Sequence, residues 1–158
     1  MSKKICFDLD GTLANLYAVN GWLEMLRSEN PTPYEIAEPM LNMSSLARLL
    51  HKAQRYGYEI VIISWASMNA SDEYLAEIER AKREWLRKHL PSVVFDEIII
   101  TEYGVPKHEI ASGVLFDDND EIRAEWGSEA YEPSEILDFL REIGTTKEID
   151  KEILSWLK

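Results

Sequence analysis

"KKICFDLDGTLANL" (residues 3–16) sets a short apolar run, Ile5 to Phe7, directly against two carboxylates two positions apart, Asp8 and Asp10. A run this short, closed by polar residues, reads as a buried strand. Ending a buried strand in acids costs free energy unless a cation or hydrogen-bond donors compensate them. What compensates them decides both the architecture and the chemistry.

Three further runs have the same character: "YEIVIIS" (58–64), "FDEIIIT" (95–101) and "SGVLFDD" (112–118), each rich in Ile, Val or Phe and each ended by polar residues. Helical patterns lie between them. The clearest is "SDEYLAEIERAKREWLRKHLP", in which Ser71 can cap, Asp72 and Glu73 suit the first turn, and Leu75, Ile78, Ala81, Trp85 and Leu86 share a face before Pro91. Residues 45–56 form a second, capped by Ser44, apolar at Leu46, Leu49, Leu50 and Ala53 and stopped by Gly57. Leu137, Leu140 and Ile143 mark another before Gly144, and Ile149, Ile153, Trp156 and Leu157 a terminal helix that suits either its own core or a partner. Residues 29–43, with three prolines, read as an irregular excursion.

Strands alternating with helices imply an α/β fold, a three-layer Rossmann-like parallel sheet with helices on both faces. Ligands of such sheets bind beyond the carboxyl ends of the strands, where Asp8, Ser64 and Asp117 fall.

At 158 residues the chain fits one domain, and 46% hydrophobic with 29% charged residues is the composition of a packed globular protein. A formal charge of −12 disfavours polymeric nucleic acid and anionic membranes but not a small anion in a local cationic pocket. The single cysteine, Cys6, excludes an internal disulfide, reads as a small buried hydrophobe and fits a reducing cytoplasm. No stretch is expected to act as a signal peptide or to span a membrane. His51, His89 and His108 lack metal-ligand spacing, with His108 of interest only for adjoining Lys107. Trp22, Trp85, Trp126 and Trp156 fall at helical spacings and are expected in the core, whereas Trp65 directly follows Ser64 at a strand end.

Taken together and in order, "DLDGT" at 8–12, Ser64 after "IVII", Lys107 in "VPKHEI" and "FDDND" at 116–120 resemble the four motifs of the haloacid dehalogenase (HAD) superfamily. The resemblance spans residues 4 to about 125. Singly the motifs say little: two acids after a strand make a solvated turn, Lys107 a surface residue, and Asp117, Asp118 and Asp120 a helix cap.

The resemblance implies a nucleophile at Asp8, which attacks phosphorus to give an aspartyl-phosphate that water hydrolyses. A dianionic phosphate about 4 Å away would oppose that carboxylate by about 8 kcal/mol at an effective dielectric near 20, so a divalent cation is needed. By the resemblance Mg²⁺ is held by the Asp8 side chain, the Asp10 carbonyl and Asp118, with Asp117 close by. Lys107 would hold nucleophile and phosphate by charge, and Ser64 would donate to a phosphoryl oxygen. Asp10 would protonate the leaving alcohol and then deprotonate water; dehalogenating members lack this acid, so its presence implies phosphate-ester chemistry. Gly11 permits the tight turn and Thr12 braces it, both beside the substrate.

The interval from Thr12 to Ser64, about 50 residues, leaves room for a small helical cap alone, at about 15–43, in a hydrolase domain of 1–144, with 145–158 a C-terminal helix on the same domain. The small cap and "FDDND" also resemble 5′(3′)-deoxyribonucleotidases, where a base stacks on an aromatic side chain such as Trp65 or Tyr17. The expected partner is a small-molecule phosphomonoester, such as a (deoxy)nucleotide. Phosphatases of protein or polynucleotide ends, and a non-catalytic HAD-fold interaction protein, are the alternatives; the oligomeric state is open.

Overall fold

The computed structural model describes residues 3–157, and for 146–150 the backbone alone. The four expected strands form as β1 (Lys3–Phe7), β2 (Tyr58–Trp65), β3 (Glu97–Thr101) and β4 (Val114–Phe116). A fifth, β5 (Ala130–Tyr131), joins the edge; two residues carry too little pattern to be read from sequence. All pair in parallel, in the order β3-β2-β1-β4-β5.

That order makes β1 the switch point. The chain leaves it on one side for β2 and β3 and returns on the other side with β4 and β5. Because both crossovers of such a sheet are right-handed, the connections fall on opposite faces and leave a crevice at the carboxyl end of β1.

Side chains along the central strands alternate with period two. Ile5, Phe7, Ile60, Ile62 and Phe116 enter one core with Leu46, Leu49 and Leu50 of α3 (Met43–Arg55), Trp85 of α4 (Asp72–His89) and Leu140 of α6 (Ile136–Glu142). Cys6, Val61, Ile63 and Leu115 face the other layer, where Ile122 of α5 (Asp120–Trp126) meets them. The three-layer α/β fold expected from the alternation is therefore present, with the second face the more thinly covered.

Several local expectations change. Asn42, not Ser44, caps α3: its extended backbone lets the side chain accept from the Ser45 N–H at 2.9 Å, which puts Ser44 inside the first turn. Within the proline-bearing stretch a short helix, α2 (Thr32–Ile36), forms because Pro33 occupies its first turn, where no N–H is missed. Of the four tryptophans expected in the core only Trp85 is buried there; Trp22 and Trp126 are half-buried and Trp156 is 89% exposed. A residue at helical spacing is buried only if its helix face meets another layer.

That last helix, α7 (Thr146–Trp156), stands beside the domain through the ion pairs Lys3–Glu152 (2.6 Å) and Lys151–Glu142 (3.9 Å). Ile153, Leu154, Trp156 and Leu157 are exposed, and Ile149 lies outside the described side chains.

The excursion after β1 holds a 3-10 turn at Leu16–Ala18, α1 (Trp22–Arg27) and α2. Three contacts seat it on the start of α4 and the loop that precedes it. The Glu29 carboxylate accepts from the Ser71 N–H and hydroxyl, Tyr74 Oη donates to the Asn30 carbonyl (3.0 Å), and Tyr34 Oη hydrogen-bonds Ser67 Oγ (2.6 Å). Trp85 Nε1 fastens the return strand by donating to the Ala37 carbonyl at 2.7 Å.

Candidate active site

Register assembles the acids. Phe7 pairs with Phe116, so the next residue of each strand, Asp8 and Asp117, emerges beside the other, and the Asp8 N–H still donates to the Phe116 carbonyl at 2.9 Å. Beneath them the two phenylalanine rings stack at 5.4 Å, an apolar floor that keeps water out from below.

Lys107, in the 3-10 turn Lys107–Glu109 that precedes β4, is 3% exposed and donates to both acids: Asp8 Oδ1 at 3.0 Å and Asp117 Oδ2 at 2.7 Å. Asp117 Oδ1 also accepts from the Asn119 N–H (3.0 Å), and Asn119 caps α5 through the Glu121 and Ile122 N–H groups. One buried ammonium thus sits between two buried carboxylates and compensates both.

Ligand oxygens of Asp8, Asp117 and Asp118 lie within 4.8 Å of one another. Burial and the neighbouring Asp8 charge push the Asp117 carboxyl up to about 6 and Asp118 up to about 7. Burial opposes charge on Lys107 too, yet the Asp8 and Asp117 carboxylates together raise its pKa. A hard oxygen-only set with surplus negative charge fits Mg²⁺.

The loop between the acids explains its own sequence. Gly11 has φ +79°, and a Cβ there would run into the Asp118 carboxylate. Thr12 Oγ1, 1% exposed, donates to Asp8 Oδ2 (3.1 Å) and reaches Asp118 Oδ1 (3.4 Å). These two positions, expected beside the substrate, brace the acids instead, and neither borders the cavity.

A cavity of about 490 Å³ opens over the cluster, bordered by Asp8, Asp10, Lys107 and Asp118 below and by aromatic side chains above. Tyr17 packs edge-on to Trp22 (4.9 Å), Trp65 lies against Tyr103 (4.9 Å), and all four border the cavity. The Trp65 indole N–H donates to the Val105 carbonyl (2.8 Å), which fixes the ring.

Ser64 stands elsewhere than its motif position suggests. β2 runs on to Trp65, so Ser64 is still within the strand, paired with Ile100 and 0% exposed; Ala66 and Ser67 border the cavity. His108 pairs with Glu125 at 3.7 Å, not with the acids.

Asp10 is not among the clustered metal-ligand carboxylates. Its Oδ2 accepts at 2.8 Å from Lys82, a fully buried lysine of α4 that the sequence reading missed. The signal was there: Lys82 lies four residues after Ile78 and three before Trp85, inside the apolar stripe of α4 rather than on its solvated face. Burial raises the Asp10 carboxyl pKa, with Lys82 opposing and Asp8 reinforcing the shift.

A linkage prediction follows from the cluster. Asp117 and Asp118 retain protons when folded that they would have lost unfolded, so their contribution to metal-free stability declines as pH rises from the ordinary carboxylate range through about 6 and 7. Added Mg²⁺ should raise the melting temperature more at about pH 8 than at about pH 5, and Asp118→Asn should flatten that difference in scanning calorimetry. An Mg²⁺ response that is equal at both pH values would contradict the proposed charge surplus.

No family model and no curated protein matches the sequence. Solved structures do. An MCSG target protein from Vibrio cholerae aligns at 25% identity over 94% of both chains with a TM-score of 0.50. A chain of a Pnkp1/Rnl/Hen1 complex aligns at 19% identity over 84% of this chain and 46% of its own, TM-score 0.53. The D,D-heptose 1,7-bisphosphate phosphatase of Burkholderia thailandensis aligns at 11% identity over 90% and 98%, TM-score 0.53. At these identities the likeness establishes the fold, which this chain shares with a phosphatase. No helix among the described residues is long and apolar enough to cross a membrane.

Proposed function

We propose that the chain is a Mg²⁺-dependent phosphomonoester hydrolase of the HAD type, acting through an aspartyl-phosphate at Asp8 on a small phosphorylated metabolite. The observation that carries the reading is the cluster of Asp8, Asp117 and Asp118, whose ligand oxygens lie within 4.8 Å of one another, with Lys107 buried against it, at the floor of the cavity. Mg²⁺ held by these acids and the Asp10 carbonyl would neutralise the phosphoryl charge that otherwise repels the nucleophile.

The chain's own groups supply the rest. Asp8, fixed by Lys107 at one oxygen and Thr12 at the other, presents its carboxylate in one orientation, which lowers the entropic cost of attack. Lys107 offers positive charge to the transferring group, and Asp10 handles the proton of the leaving alcohol and then of water.

For the substrate we favour a nucleotide. About 490 Å³ is ample for a mononucleotide, and the rings of Tyr17 and Trp65 both border the space that the acids line. A polynucleotide end is the second reading, favoured by the open rim at Tyr17 (51% exposed), Tyr103 (50%) and Met68 (62%) and opposed by the charge of −12.

The test is phosphate release with Mg²⁺ from nucleoside monophosphates, sugar phosphates and an aryl phosphate, with beryllofluoride as inhibitor. Expected is Mg²⁺-dependent turnover, with Trp65→Ala raising KM for nucleotides by about tenfold and for the aryl phosphate much less. Absence of turnover across the panel would favour a HAD-fold binding protein, and equal KM effects would remove the stacking role.

A further inference from the structure

Lys82 is a charged side chain with no exposure, set where an apolar residue would complete the packing of α4. An ammonium in such a place survives only if its hydrogens are all satisfied and a counter-charge is near. Both conditions hold. Its three hydrogens have three acceptors: Asp10 Oδ2 at 2.8 Å, Ser64 Oγ at 2.7 Å and the Trp65 carbonyl at 2.7 Å. The Tyr34 ring of α2 covers it with its face, 4.8 Å from Nζ to the centroid.

We propose that Lys82 is a positioning residue that sets Asp10 for proton transfer to the leaving alcohol, anchored from behind by Ser64 and the Trp65 carbonyl. This rests on the phosphomonoesterase reading above. Fully buried and with every hydrogen committed, Lys82 does not touch substrate. Its effect passes through Asp10, which borders the cavity.

The geometry divides the work between the two Asp10 oxygens. Oδ2 is tied to Lys82, so Oδ1 is the oxygen left to carry the proton. In the first half-reaction a bond forms from an Asp8 oxygen to phosphorus as the bond to the ester oxygen breaks, and the Asp10 proton passes to that oxygen to release a neutral alcohol. Asp10 is left as a carboxylate, paired with Lys82. In the second half it takes a proton from water, whose oxygen attacks phosphorus and frees Asp8, so the cycle closes with no other reactant.

Ser64 gains a role on this account. Its buried hydroxyl accepts from Lys82 and does not border the cavity. Tyr34 adds a connection to the excursion after β1, since the ring over Lys82 is held to the loop after β2 by the hydrogen bond with Ser67.

The test exploits leaving groups. A nitrophenyl ester departs as a stable anion and needs little protonation, whereas an alkyl ester of similar size needs it fully. In the Mg²⁺-loaded enzyme, Lys82→Met should lower kcat for the alkyl phosphate by about 100-fold and for the nitrophenyl phosphate by less than about tenfold, with KM for both little changed. Combined with Asp10→Asn, it should add almost nothing to the loss on the alkyl ester, because both changes remove one device.

Lys82→Gln, which keeps two donors without the charge, should show the same bias in smaller degree and serves where Lys82→Met does not fold. Equal losses on the two esters, or multiplying losses in the double variant, would overturn the assignment while leaving the phosphatase reading intact. A wild-type protein inactive on both esters would overturn that reading, and this one with it.

Discussion

Asp8→Asn should abolish phosphate release, with kcat reduced by a factor on the order of 10⁴ or more, while the protein stays folded. An amide oxygen is too weak a nucleophile to form the phosphoryl bond, and two neighbouring carboxylates, Asp117 and Asp10, are held by other partners. Asp117 is committed to Lys107 and the Asn119 N–H, and Asp10 to Lys82. The sign of the stability change separates lost chemistry from lost structure. Asp8 is the leading charge acting on both Asp117 and Asp118, so removing its charge relieves repulsion in the metal-free cluster. Without Mg²⁺ the variant should melt at the same temperature as wild type or higher, and Mg²⁺ should stabilise it less. Measurable turnover by Asp8→Asn at a tenth of the wild-type rate would exclude Asp8 as nucleophile.

Lys107→Met is expected to do the reverse and damage both properties. The side chain is buried, and its removal leaves two buried carboxylates facing each other without their shared ammonium. Breaking a buried pair in this way costs about 3–5 kcal/mol near neutral pH. The loss should shrink as pH falls, because Asp117 already titrates at about 6 and a proton can take the place of the lysine. Activity should fall by a factor of about 10² to 10⁴, in kcat more than in KM, since the charge acts on the transferring group. Urea unfolding at about pH 5 and pH 8 with Mg²⁺ omitted would measure the first effect, and steady-state kinetics the second. Equal stability of the variant and wild type at pH 8 would show that Lys107 does not compensate these acids.

Much of this architecture was legible in the residues. Apolar runs closed by acids and serine located four of the five strands, because a strand buried on both faces leaves an unbroken hydrophobic signature. Asp8 and Asp117 were legible from position, because they follow strands that a parallel sheet brings together at one edge, whereas Lys107 and Asp118 entered only through the resemblance of the ordered motifs. What escaped were side chains whose meaning depends on what lies opposite them. Lys82 reads as solvated until the apolar stripe around it is counted, and even then its partners, Asp10, Ser64 and the Trp65 carbonyl, are 72, 18 and 17 residues away. Trp156 reads as core by spacing and is exposed, since amphipathicity states that a face exists and not what covers it. Ser64 fell one residue too deep because β2 continues to Trp65, and strand ends are the least determined feature of a hydrophobic run.

The strand order has a consequence for how the molecule comes into being. β4 carries Asp117 into place only by inserting beside β1, after β2 and β3 have gone to the other side. A nascent chain that stops short of residue 117 can build half a sheet but has just one acid of the Asp8, Asp117 and Asp118 cluster. On the proposed function, affinity for Mg²⁺ would therefore appear only once β4 has paired with β1, the strand pairing that spans the longest stretch of chain.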